Sequence, residues 1–102
     1  MTTTARATVQ YEDDRVRVTR WDFAPGQSTG RHLHEHDYVV VPVTDGRTTV
    51  LTPDGTATSS QLAAGQSYAR PAGAEHEVTN AGTAPLTFVE VEVKNGSRQK
   101  LR

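Results

Sequence analysis

In the segment LTFVEVEVK, Val89, Val91 and Val93 alternate with Glu90 and Glu92, the period-two pattern of a strand with one dry face and one polar face. The run HDYVVVPV differs, because Val39, Val40, Val41 and Val43 place apolar side chains on both faces. Such a strand is expected to be covered on its outer side too, by a second sheet or a second chain, and a homodimer is the expected assembly. The Thr- and Val-rich runs RTTVLT and HEVTN favour strands as well. Between Asp45 and Gly82 the turn signals Asp45-Gly46, Pro53-Asp54-Gly55, Ala64-Gly65, Pro71-Ala72-Gly73 and Asn80-Ala81-Gly82 recur every eight to ten residues. That is the rhythm of short antiparallel strands in a sandwich or barrel, and no segment carries the periodicity of an amphipathic helix. The pattern predicts an all-β domain over residues 15–94. Residues 1–14 are expected to be an arm or edge strand, and residues 95–102 a basic tail.

Composition adds a constraint on stability. Val, Leu, Phe and Ile together supply 19 of 102 residues, a lean core for a single domain. A bound metal or burial against a second subunit would supply the missing margin. The net charge of −1 argues against nucleic acid as a partner, since a nucleic-acid surface calls for a strongly basic face. No DNA-binding helix pair accompanies the predicted strands. There is no cysteine, so thiolate ligands and disulfides are excluded. The N-terminal segment lacks the apolar run of a signal peptide, and no stretch approaches the roughly 20 apolar residues of a membrane helix. A cytoplasmic protein with no membrane partner is the expectation.

All four histidines fall in two short segments, His32, His34 and His36 in GRHLHEHDY and His76 in PAGAEHEVTN. On an extended strand His32 and His34 project from one face, where two imidazoles can converge on one cation, and His76 would supply a third ligand. His36 would follow on the same face of a regular strand, as a fourth ligand or proton shuttle, unless a β-bulge turns it away. Glu35 and Asp37 should then point outward. Glu75, next to His76, could orient an imidazole. Gly46, Gly55 and Gly73 can take the positive φ of tight turns, and Pro71 can set the turn that returns His76 to the first segment.

At these two segments the chain resembles the cupin superfamily, whose members fold as small jelly-roll β-barrels with two motifs on facing strands. Gly65, Pro71, Gly73, His76 and Asn80 reproduce the second motif in full. Gly26, His32, His34 and Gly46 reproduce the first, with Tyr38 or Val39 where a glutamate is expected. Within the superfamily, HDYVVVPVTDG is most similar to the short cupins labelled β-alanine degradation proteins, a label that specifies no reaction.

The resemblance implies one divalent transition metal per chain, Fe(II) favoured, with Zn, Ni, Mn or Cu as alternatives, held by His32, His34 and His76. Tyr38, in the glutamate slot, would hydrogen-bond a substrate or donate a proton. Arg70, Tyr68 and Arg31 would receive the carboxylate of a small-molecule substrate. Three neutral ligands leave the cation its full charge and open positions for anionic ligands. The three-histidine pattern resembles that of iron-dependent cupins that react with dioxygen, and the activity this resemblance implies is an Fe(II) dioxygenase acting on a small carboxylate or enolisable compound. A Lewis-acid isomerase, lyase or cyclase and a non-enzymatic small-molecule binder are the alternatives.

Overall fold

The computed structural model describes residues 3–94, so the tail expected over 95–102 lies outside the described residues. Among the described residues nine strands follow in chain order: β1 Arg6–Glu12, β2 Val16–Phe23, β3 His32–Leu33, β4 Asp37–Pro42, β5 Gly46–Leu51, β6 Ala57–Leu62, β7 Tyr68–Arg70, β8 Glu75–Asn80 and β9 Leu86–Val93. No helix occurs among the described residues. The strands form two antiparallel sheets, β1-β2-β9-β4-β7 and β3-β8-β5-β6, stacked as a jelly-roll barrel. β1 lies at the edge of the larger sheet and pairs with β2.

The two sheets close over Phe23, Leu86 and Phe88, with Tyr38, Val40, Leu62 and Val78 around them. The Phe23 and Phe88 rings sit 5.3 Å apart, and Trp21 packs beside them. Gly46 has another use than the positive φ expected of it. It opens β5 with ordinary backbone, and a Cβ there would come within 2.7 Å of Leu86 Cδ1, so it is glycine to let the strand approach the core. Gly55 and Gly73 do take positive φ.

The run from His32 to Val43 is two strands, not one. β3 ends at Leu33 in the smaller sheet, Glu35 and His36 carry the chain across, and β4 continues in the larger sheet against β9 and β7. His36 therefore stands on a bend, and the alternation of a regular strand does not reach it.

β9 has the two faces its alternation predicts, with the polar one turned inward. Glu90 and Glu92 are buried beside Phe88, whereas Val89, Val91 and Val93 are half-buried on the outer side. Registers extend the outer stripe across three strands: Val18 and Val39 flank Val91, and Val41 flanks Val89. Inside, Arg17 on β2 meets Glu92 through Nε to Oε1 at 2.6 Å. Among the described residues no helix is long and apolar enough to cross a membrane.

Candidate metal centre

β3 and β8 pair with His32 opposite His76, which sets two imidazoles side by side at the barrel wall. The pairing runs one residue beyond β3. His34 N donates to Ala74 O at 2.8 Å, and Gly73 N donates to His34 O at 2.8 Å. Gly73, at φ +105°, thus turns the chain from β7 into β8 and pins the second histidine of the first motif. The backbone explains why His32, His34 and His76 meet although β3 is only two residues long.

The three Nε2 atoms converge. His34 Nε2 lies 3.0 Å from His32 Nε2 and 3.1 Å from His76 Nε2, and the three ligand atoms all fall within 4.8 Å of one another. The rings stand at 71°, 75° and 84° to each other, so they meet edge to face and none stacks on another. Nitrogens bound at about 2.1 Å to a cation with ligands at right angles or tetrahedral angles would be separated by roughly 3.0–3.4 Å. The His34 contacts sit at the short end of that range.

Hydrogen bonding around His32 fixes which nitrogen is free. Its Nδ1 is 3.0 Å from Gly30 O and 3.2 Å from Thr29 Oγ1, and the carbonyl can only accept. Nδ1 therefore carries a proton, and Nε2 is the nitrogen left to face His34 and to serve as a ligand atom. One proton on His34 Nε2 serves only one of its two short contacts well, whereas a cation between them satisfies all three nitrogens. Burial holds His34 near a pKa of about 4, with the neighbouring His32 and His76 adding to the effect. Burial, then His32, brings His76 to about 4 as well. Both are neutral at pH 7, the form a metal requires.

The rings are wedged in place. His34 stacks on Tyr38 at 3.8 Å and 16°, and His32 stacks on Trp21 at 6.4 Å and 23°. Tyr38 is buried, and burial, followed by Glu90 and Tyr68, pushes its phenol up to about 12. It is a hydrogen-bond donor at neutral pH and not a base. Burial also raises Tyr68.

Tyr38, Tyr68, Arg70 and His76 border one cavity of about 310 Å³ inside the barrel, with an apolar floor that includes Val40, Val78 and Phe88. Pairing of β4 with β7 sets Arg70 opposite Tyr38 and Tyr68 opposite Val40. The Arg70 guanidinium lies over the Tyr68 ring at 4.6 Å. Arg31 is not brought to this cavity. It follows the alternation of β3 to the outer side, where Nε meets Glu75 Oε2 at 3.1 Å, and both side chains are exposed. Glu75 is thus engaged by Arg31 on the surface. His36 is outside the convergent trio, and its buried Nδ1 has no hydrogen-bond partner among the described residues. Asp37 accepts a hydrogen bond from Ala72 N at 2.8 Å, tying the start of β4 to the turn before β8.

Two site residues escape the motif pattern. Trp21 forms a wall of the site against His32 and donates its indole N–H to Glu90 Oε1 at 3.3 Å. Glu90 borders the 310 Å³ cavity and also a second cleft of about 260 Å³ on the side of His32 and His34. Its Oε2 is 4.0 Å from His34 Nε2, and burial raises its pKa to about 7. The signal for Glu90 was present as a glutamate in a strand, but alternation alone does not say which face is inside.

Similar proteins place these features in a family. Residues 19–92 match the model of the cupin domain. The beta-alanine degradation protein BauB of Pseudomonas aeruginosa is 54% identical over 87 residues, which covers 85% of this chain and 90% of that protein. A cupin domain protein of Bordetella pertussis superposes with a TM-score of 0.85 at 49% identity, over 89% of this chain and 94% of that one. A Klebsiella pneumoniae protein with a double-stranded β-helix domain gives 0.74 at 26% identity, over 91% and 79% of the two chains. With the barrel, both motif segments and a histidine trio able to hold a metal ion, this chain belongs to the cupin family.

Proposed function

We propose that the chain is a metal-dependent enzyme in which His32, His34 and His76 hold Fe(II), and that it is a dioxygenase acting on a small carboxylate or enolisable substrate. The observation that carries this reading is the convergence of three imidazole Nε2 atoms beside a cavity with an arginine at its border. Fe(II) would supply Lewis acidity and redox chemistry toward dioxygen.

The chain's own residues would do the rest. Arg70 can take a carboxylate in its planar fork while its contact with the Tyr68 ring limits its movement. The Tyr38 phenol can donate a hydrogen bond to a substrate oxygen. Val40, Val78 and Phe88 would give the substrate carbons an apolar surface to rest on. A cavity of about 310 Å³ suits a compound of few carbon atoms. The name of the Pseudomonas relative refers to β-alanine degradation. β-Alanine is a three-carbon acid, and loss of its amine to a carbonyl leaves a 3-oxo acid that is both carboxylate and enolisable, so small 3-oxo acids are the first substrates to test.

Tag-free protein loaded anaerobically with Fe(II) should consume oxygen with such an acid, and His34→Ala should lose the iron and the oxygen uptake together. Oxygen uptake surviving in that variant would sink the proposal. A second reading, Lewis-acid isomerase, lyase or cyclase, draws on the buried carboxyl of Glu90 at the same cavity as a proton carrier. Turnover with zinc or nickel that is unchanged without oxygen would select it, and ligand-induced stabilisation with no product would select a binding protein instead.

We further propose that two copies pair through the valine stripe on the outer face of the larger sheet, where Val18, Val39, Val41, Val89 and Val91 adjoin across β2, β9 and β4.

A further inference from the structure

β9 aims two carboxyls at the barrel interior, and their surroundings differ. Glu92, 11% exposed at its side chain, is met by the Arg17 guanidinium at 2.6 Å. Glu90, equally buried, has as its hydrogen-bond donor the neutral Trp21 indole at a long 3.3 Å. Its second oxygen faces His34 Nε2 at 4.0 Å. An ionised carboxylate in such a place is costly unless a cation answers it. Three neutral imidazoles create the complementary deficit, since they would leave a divalent ion with its whole charge inside the barrel. Glu90 also borders the openings on both sides of the trio, so it lies beside the point where the three nitrogens converge. β4, which carries Tyr38 on the neighbouring strand, offers no inward carboxylate. Its inward positions are Tyr38, Val40 and Pro42, and Val40 is the residue paired with Glu90.

We propose that Glu90, supplied from β9, is the anionic member of the metal centre: a counter-charge standing beside the ion that lowers the net charge of the site and strengthens its hold on the metal. This rests on the reading that His32, His34 and His76 bind a metal. Trp21 is the positioning residue for Glu90, through its indole N–H, and at the same time the wall against which His32 stacks. Glu92, which borders the cleft beside His32 and His34, already has its charge answered by Arg17.

Cobalt(II) is a suitable probe because its visible absorption reports binding directly. Tag-free wild type, Glu90→Gln, Glu92→Gln and His34→Ala are titrated with Co(II) against a competing chelator, and the metal-free proteins are melted in parallel. Glu90→Gln should weaken Co(II) binding by about 10- to 100-fold. Its metal-free melting temperature should hold or rise, because the amide still accepts from Trp21 and no longer places an ionisable group in the barrel. A merely structural role predicts the opposite pairing, a lower melting temperature with affinity intact. Glu92→Gln should melt earlier while binding Co(II) within a few-fold of wild type. Should Glu90→Gln not fold, Glu90→Met, of similar volume, is read by the same criterion. Affinity of the Glu90 variant within twofold of wild type, with binding still lost in His34→Ala, would overturn the role of Glu90 alone. Wild type that takes up no Co(II) would overturn the metal centre and this inference together.

Discussion

Three titrating residues of the centre pull stability in different directions as pH changes. In the unfolded chain the histidines protonate near 6.5, but burial lowers His34 and His76 to about 4 in the folded state. Between pH 4 and 6.5 the unfolded chain binds more protons at these two positions, so their contribution to stability grows as pH rises through that window and is lost on acidification. Glu90 acts in reverse. Its pKa goes up from 4.5 to about 7, so the folded chain keeps a proton that the unfolded chain has released, and stability declines with rising pH between those values. Two groups oppose one with a displacement of similar size. Metal-free protein should therefore gain stability from pH 4 to 6.5, and Glu90→Gln should gain it more steeply because the opposing group is gone. Urea midpoints measured across that range check both slopes, and a wild-type midpoint that falls from pH 4 to 6.5 would contradict the burial of the two histidines as described.

At the scale of elements, what was legible in the chain was what local rules determine. Glycine-marked turns from Asp45 to Gly82 bound β5 to β8 because tight turns restrict φ locally. The convergence of His32, His34 and His76 was legible from spacing, since the pairing of β3 with β8 brings together residues at fixed offsets from Gly73. What was not legible depended on partners far along the chain. The crossing at Glu35 and His36 from one sheet to the other is set by β4 pairing with β9, some fifty residues later, so the run of valines read as one strand with the histidines. The inward turn of Glu90 and Glu92 likewise follows from a polar centre within the barrel, against the usual rule that the dry face of a strand is the inner one. Arg17 is the compensation on β2 for one of these carboxylates, adding an ion pair to the backbone pairing of β2 with β9 and to the Trp21–Glu90 and Thr87–Asp22 hydrogen bonds. Arg17→Met should destabilise the fold by roughly 1–3 kcal/mol, less than for a fully enclosed pair because Arg17 is 37% exposed. The measurement is the denaturant midpoint, and a double-mutant cycle with Glu92→Gln should recover part of the loss, since the second change removes the carboxylate left behind.

For the molecule as a whole, a polar barrel interior leaves the hydrophobic effect short of material. Carboxylates and imidazoles occupy inward positions that aliphatic side chains would fill in an ordinary sandwich, and several of the chain's valines are spent on the outer face of the larger sheet. Val18, Val39 and Val91 form one row there and Val41 and Val89 another, with Arg20 beside Val89 and Asp37 beside Val93 at the margins. An apolar patch rimmed by charges is the form of an interface between subunits. Burial of this face in a dimer would return apolar area to the fold at about 25 cal/mol per Å² and so make stability depend on protein concentration. Light scattering should give about twice the 11.1 kDa mass of the chain. Val91→Lys, at the centre of the patch and outside the metal centre, should yield a monomer that melts at lower temperature. Metal uptake by that monomer should be retained at high affinity, because every histidine of the trio and Glu90 belongs to one chain. A wild-type protein of single-chain mass, or a Val91→Lys protein still of double mass, would remove this face as the contact.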